Sequence, residues 1–344
     1  VNGAGSRLSV FFGERGRSGG LSLAEALMRV FASYGVGAAV VLRGGEGLGP
    51  RQGFRTSSGL TLSEDLPMVA VAVDSPATIA SVATEVAELL DEGLLTLEPV
   101  MLAGNGRGPD AEALPGVGSR RRLTVWLDRH ARVGRSSAYA ASVAVLHKHG
   151  ADAAIVLLGI DGLADGARHR AGFFSANRRV PMLLSAVGES GAIDRARQEI
   201  GVLLPTAMFE TSDVRLAGGE INGAGPVPPG DGPSTERNLR LSIYAGGLDA
   251  YEGIRQQELL LRVLRRAGAP GATALQGFYG FRGKQPPHGE SFWSLRRQIP
   301  VLTEVIDRPD ACRRRLEEIE SVTGNRALVV VAPVERLSRP AGRA

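Results

Sequence analysis

Three stretches of this chain read as copies of one another, and any fold it adopts has to accommodate that repetition. Residues 38–74 (AAVVLRGGEGLGPRQGFRTSSGLTLSEDLPMVAVAVD) give an apolar strand, a glycine-rich basic loop, a Leu-Pro corner and a second apolar strand. Weaker copies occupy residues 153–187 and 271–307. First-strand leucines assigned as equivalent, Leu8, Leu123 and Leu239, are evenly spaced to within one residue, the mark of tandem duplication.

The first copy sets the pattern. Leu8, Val10 and Phe12 alternate as in a half-buried strand, and from Ser22 onward Leu23, Ala26, Leu27, Val30, Phe31 and Tyr34 fall at helical intervals, with Gly35 placed to end the helix. Val36–Leu42 and Met68–Val73 predict two further strands, Ser75 and Pro76 open a second helix that Gly93 closes, and Leu94–Met101 supplies a last strand. This order, βαββαβ, is that of a ferredoxin-like α+β sandwich. Similar segments predict unit two over 119–216 and unit three over 236–337, joined by Gly- and Pro-rich linkers at 104–118 and 217–235 and followed by a tail at 338–344.

Comparison between the copies acts as an internal control. Gly44, Gly159 and Gly277 correspond, as do Gly47, Gly162 and Gly280, and the corner prolines are Pro67, Pro181 and Pro300. Glycines three apart after a strand suit positive φ or a close backbone approach, and alternatively an anion cradle. The interstrand segment behind them is far longer than a hairpin and carries cations in every copy: Arg51 and Arg55, then Arg168, His169 and Arg170, then Lys284 and His288. A solvated loop and an anion-binding concavity both fit that composition.

Other chemistries find less support. Glu64 and Asp65 are replaced by Arg178 and Arg179 in unit two and by Arg297 and Gln298 in unit three, so no shared acid–base pair exists. No phosphate loop, zinc helix or nucleophile elbow occurs, and no catalytic residue is assigned. His147 and His149 do not share a helical face, and His130 is isolated. A net charge of +4 and the lack of an aromatic RNA-binding signature disfavour nucleic acid, and Trp126 and Trp293 read as packing residues. The single Cys312 excludes an intrachain disulfide and reads as a small buried group. With 43% hydrophobic residues the chain is able to bury a core, and no apolar run approaches the ~18 residues of a membrane span. The N-terminus lacks a signal-peptide pattern, and the chain is read as cytoplasmic.

The segments LSVFFGERGRSGG, LRGGEGLG, TLSEDLP and DEGLLTLEPV resemble the family known as domain of unknown function 190, a branch of the PII-like signalling superfamily. The resemblance implies a ferredoxin-like unit that ordinarily trimerises, with adenine nucleotides (ATP, ADP or AMP) held in clefts between units. By position it places Gly44, Gly47, Arg51 and Arg55 along a signalling loop and turns Glu92 and Gly93 toward the neighbouring unit. Unit two has Pro205 and Thr206 there and lacks the glycine, whereas unit three keeps Gly324. The expectation is a non-enzymatic sensor: one chain forming an internal pseudo-trimer, monomeric in solution, with ligand residues drawn from Gly44, Gly47, Arg51, Arg55, Gly93, Arg168, Arg170, Gly277, Gly280, Lys284 and His288. An interaction module on a membrane transporter, a fluoride channel, is the alternative, and a metal-responsive protein like the copper-tolerance trimers is a further one.

Overall fold

The computed structural model describes residues 2–49, 54–56, 65–104, 120–164, 167–170, 180–217, 235–246, 250–251, 254–289 and 300–337. Most of both interunit linkers and of the long interstrand segments, including Arg51, Glu64, Arg178, Arg179, Trp293, Arg297 and Gln298, lies outside the described residues.

Unit one contains β1 (Gly3–Gly13), α1 (Leu23–Ser33), β2 (Ala38–Arg43), β3 (Pro67–Asp74), α2 (Pro76–Leu89) and β4 (Leu94–Ala103). The helix starts follow from local chemistry. Ser22 Oγ accepts from the Glu25 N–H at 3.3 Å, and Ser75 Oγ from the Thr78 N–H at 3.2 Å with Pro76 in the first turn. Gly35, with φ +63°, follows α1 in the left-handed region that glycine enters at little cost. Strand β1 lies between β3 and β4, and β2 pairs outside β3, so the antiparallel order is β2-β3-β1-β4.

The other two units repeat this order. Unit two has β5 (Arg120–Asp128), α3 (Ala138–Lys148), β6 (Ala153–Ala164), β7 (Pro181–Glu189), α4 (Ser190–Leu203) and β8 (Met208–Leu216). Unit three has β9 (Thr235–Gly246), α5 (Gln256–Arg266), β10 (Ala272–Gln276), β11 (Pro300–Asp307), α6 (Pro309–Thr323) and β12 (Ala327–Leu337).

Strand register corrects one correspondence. Gly13, Asp128 and Gly246 stand opposite the three corner prolines, so Leu8 and Leu123 match Leu241, two residues beyond Leu239. A slip of two keeps every side chain on its own face, which is why hydrophobic alternation alone did not expose it. The segments RLSVFF, RLTVWL and RLSIYA carry the correct alignment.

Each sheet is buried on both faces. One face packs under its own helices, through Leu27, Phe31, Ile79 and Val82 in unit one, with equivalent clusters in units two and three. The opposite faces of all three sheets meet in a common interior that holds Val40, Val71, Ile155, Leu183, Leu302 and Val330. Burial on two sides explains why β3 reads MVAVAV without polar alternation and is buried at every position.

The units close on one another in a ring. At the outer end of each sheet, the segment after one second strand adds to the second strand of a neighbour. Gly159–Ala164 pairs with Ala38–Leu42, Tyr279–Arg282 with Ala153–Val156, and Glu46–Leu48 with Ala272–Ala274. The fourth strands meet in the same cyclic manner: Met101–Ala103 with Phe209–Thr211, Arg215 and Leu216 with Val331 and Val330, and Glu335–Leu337 with Leu95–Leu97. Every unit thereby has both sheet edges paired, which removes the exposed N–H and C=O rows that invite aggregation. Among the described residues, no helix is long and apolar enough to cross a membrane.

Candidate functional site

The seam between units is built from the glycines. A Cβ on Gly47 would stand 2.7 Å from Ala272 O and 2.9 Å from Pro67 Cγ, and one on Gly162 would stand 2.7 Å from Ala39 O and 2.6 Å from Pro181 Cδ. On Gly280 it would strike Ala154 O. Ala39, Ala154 and Ala272 are equivalent positions, so the same requirement operates three times: a neighbour's backbone passes where a side chain would stand. Gly44 and Gly277 are likewise closed in, against Ala274 O at 3.0 Å and Ile155 Cγ1 at 2.6 Å. The sequence read these segments as the start of a loop; they are strand, drawn out straight by pairing across the seam. Each then inserts one apolar side chain among the neighbour's helices: Leu48 into unit three, Leu163 into unit one and Phe281 into unit two.

Two seams carry further ties. Between units one and two, Arg168 donates to Glu25 of α1 at 2.7 and 2.9 Å and to Asp161 at 2.6 Å. The hydrogen bond from Arg168, then that from Arg29, holds the Glu25 carboxyl at about 2. Between units two and three, Tyr139 of α3 meets the rings of Phe278 and Tyr279 edge-on at 5.5 and 5.6 Å, and His147 meets Phe281 at 4.9 Å.

On the common axis lies a buried charge cluster that reading the sequence missed. Arg7, Arg122 and Arg240, each immediately before the equivalent leucine, point inward from the three first strands and are at most 9% exposed. Arg7 donates to both oxygens of Glu210 at 2.9 Å, Arg122 donates to Glu98 at 2.6 Å, and Arg240 pairs with Glu98 and lies 3.8 Å from Glu304. Burial alone would raise the Glu98 carboxyl, but Arg122, Arg240 and Arg7 overcome it and hold the group at about 2. The signal was present as an Arg-Leu repeated within each first strand. An arginine at a core position became legible only once the cross-unit glutamates were in place.

Between units one and three the seam opens into a cavity of about 920 Å³. Its floor is apolar, from Phe11, Phe12, Leu23, Leu48, Pro67 and Leu94 on one side and Pro270, Ala272 and Ile306 on the other. Its rim is charged. Unit one contributes Arg15, Arg17, Asp65, Asp91 and Glu92, and unit three contributes Arg237, Arg308, Arg336, Glu236, Glu304 and Asp307. Several of the acids are already engaged: Asp65 accepts from the Arg15 N–H at 2.7 Å, Asp307 pairs with Arg315 at 2.5 Å, and Glu304 faces Arg240. Among the described residues, Arg17, Arg308 and Arg336 have no ion-pair partner, and all three are exposed. Gly93, with φ +149°, forms part of the wall, where a Cβ would stand 2.6 Å from Phe11 O.

The sequence-assigned residues are therefore distributed over the whole ring. Gly93 lines the cavity, and Glu92 beside it faces unit three. Gly44, Gly47, Gly277 and Gly280 lie in the seams, and Arg168 lies in the tie between units one and two. Arg55 and Arg170 belong to short strands, Phe54–Thr56 and Ala167–Arg170, and their side chains lie outside the described residues. Lys284 is exposed, and His288 Nδ1 is 3.0 Å from Pro286 O in a strand pair with Gly280. His149 Nε2 lies 2.7 Å from Glu199, beside Lys148. Cys312 is buried, and burial pushes its thiol up to about 12. Among the described residues, no three His, Cys, Asp or Glu side chains come together as a metal site needs.

Three consecutive βαββαβ units that share their edges define a tandem-repeat protein, and the repeat is a recognised one. The chain belongs to the family DUF190, described as "Uncharacterized ACR, COG1993", whose model matches residues 5–102, 120–216 and 238–336. Among similar proteins, a "UPF0166 protein" of Aquifex aeolicus is 29% identical over 80 residues, which is 23% of this chain and 76% of that protein. The "UPF0166 protein MJ1524" of Methanocaldococcus jannaschii is 28% identical over 91 residues, 26% of this chain and 83% of that protein. A crystal structure of aspartate kinase from Synechocystis aligns with 96% of this chain and 44% of its own at 12% identity, with a TM-score of 0.26. At that score it carries no weight for fold or function.

Proposed function

We propose that this protein is a PII-like sensor: three ferredoxin-like units fused into one monomeric, cytoplasmic chain that binds a small anionic metabolite, an adenine nucleotide, in the cleft between units one and three. The observation that carries this reading is the composition of the 920 Å³ cavity, an apolar floor beneath arginines that have no partner of their own. A nucleotide presents the matching pair of surfaces, a flat heterocycle to bury and phosphates to pair, and guanidinium groups bind phosphate in bidentate fashion. Gly49 and Asp65, which flank the segment between β2 and β3, both line the cavity, so ligand there reaches both ends of that segment. That is the route by which occupancy is signalled to a partner protein. Calorimetry of the full chain with ATP, ADP and AMP tests the reading. Heat of binding with at least one is expected, and none with any of the three would remove it.

A further inference from the structure

The cavity occupies a special place in the ring. Units one and two are consecutive in the chain, as are two and three, so a covalent linker backs each of those seams. Units one and three are not consecutive, and noncovalent contact alone closes the ring between them. Their second-strand pairing, from Ala272↔Leu48 to Ala274↔Glu46, is the shortest of the three. The other seams carry direct side-chain ties, one through Arg168 between Glu25 and Asp161 and the other through Tyr139 against Phe278 and Tyr279. The cavity of about 920 Å³ lies at the unlinked seam, and among the described residues its cations without an ion-pair partner come from both walls: Arg17 from unit one, Arg308 and Arg336 from unit three.

We propose that this cleft is a single effector site per chain, in which a polyphosphate-bearing anion joins Arg17 of unit one to Arg308 and Arg336 of unit three and so fastens the one seam that no linker spans. The proposal rests on the sensor reading above and adds stoichiometry and consequence. A bound polyanion bridges Arg17 of one wall to Arg308 and Arg336 of the other, so closed rings are favoured by the difference in affinity between closed and open forms. The signal is then the closure of units one and three, and the partner senses whether the ring is fastened.

The test uses the full chain with two probes, ATP and inorganic tripolyphosphate. Calorimetry gives the number of sites, and amide hydrogen exchange reports on each seam separately. The expected result is one site per chain, with exchange slowed at Glu46–Leu48 and Ala272–Ala274 and unchanged at the other two seams. The variant Arg308→Ala/Arg336→Ala, at two exposed positions, is expected to weaken binding by at least about tenfold and to abolish the slowing. ATP binding at two or three sites, equal protection of all seams, or undiminished binding by the variant would overturn the single-clasp proposal while leaving the nucleotide reading in place. Binding and seam protection by tripolyphosphate but not by any adenine nucleotide would do the reverse. Silence from both probes would overturn both.

Discussion

Glu98 is a single carboxylate serving two buried guanidiniums, Arg122 and Arg240, that originate in different units. Replacing it by glutamine leaves two cations buried beside one neutral amide, and breaking a buried ion pair costs about 3–5 kcal/mol. Glu98→Gln should therefore lower the urea midpoint strongly without altering the apolar core, and a midpoint like that of the parent would show that the cluster is not holding the axis. The same chemistry fixes a pH dependence. Glu98 and Glu25 each ionise at about 2 in the fold against an ordinary 4.5. Their depressed values contribute stability that is fully present above pH 4.5 and is lost as the pH falls from there toward 2. Denaturation at a series of pH values should show that decline, and Arg168→Met should make it shallower by releasing Glu25.

At the level of elements, the helices and central strands were legible because their causes are local. Ser22 and Ser75 announce helix starts, and a run such as MVAVAV has no polar residue to place in water, so it must be covered twice. The segments after the second strands were not legible, because what makes them strand is a partner in another unit, far away in sequence. Gly44 and Gly47 look like turn residues until Ala272 and Ala274 are seen running beside them. The axial cluster was hidden for the same reason, since Arg7 finds its carboxylate at Glu210 of unit two. Of the cavity, only Gly93 and its neighbour Glu92 were picked out, through family resemblance. Arg308 and Arg336 belong to unit three and join the site only when the ring closes. The seam account predicts that Gly162→Val, with Ala39 O and Pro181 in its way, destabilises the fold by at least about 1–3 kcal/mol in chemical denaturation. A neutral outcome would mean that the seam yields more readily than its packing implies.

For the molecule as a whole, fusion converts an assembly problem into a folding problem. Each unit has two sheet edges and an apolar sheet face to cover, and here both edges and the face are covered by the other two units of the same chain. Fusion also permits the three seams to differ, with an arginine tie in one, an aromatic contact in another and a cavity in the third. Identical subunits around an exact threefold axis would have to carry the same residues in every seam. The most direct test of this self-contained ring is the mass in solution by multi-angle light scattering. The account predicts 36.1 kDa, one chain, with no growth on raising the concentration. A mass near three times that value, as expected if units were exchanged between chains to complete their edges, would contradict it.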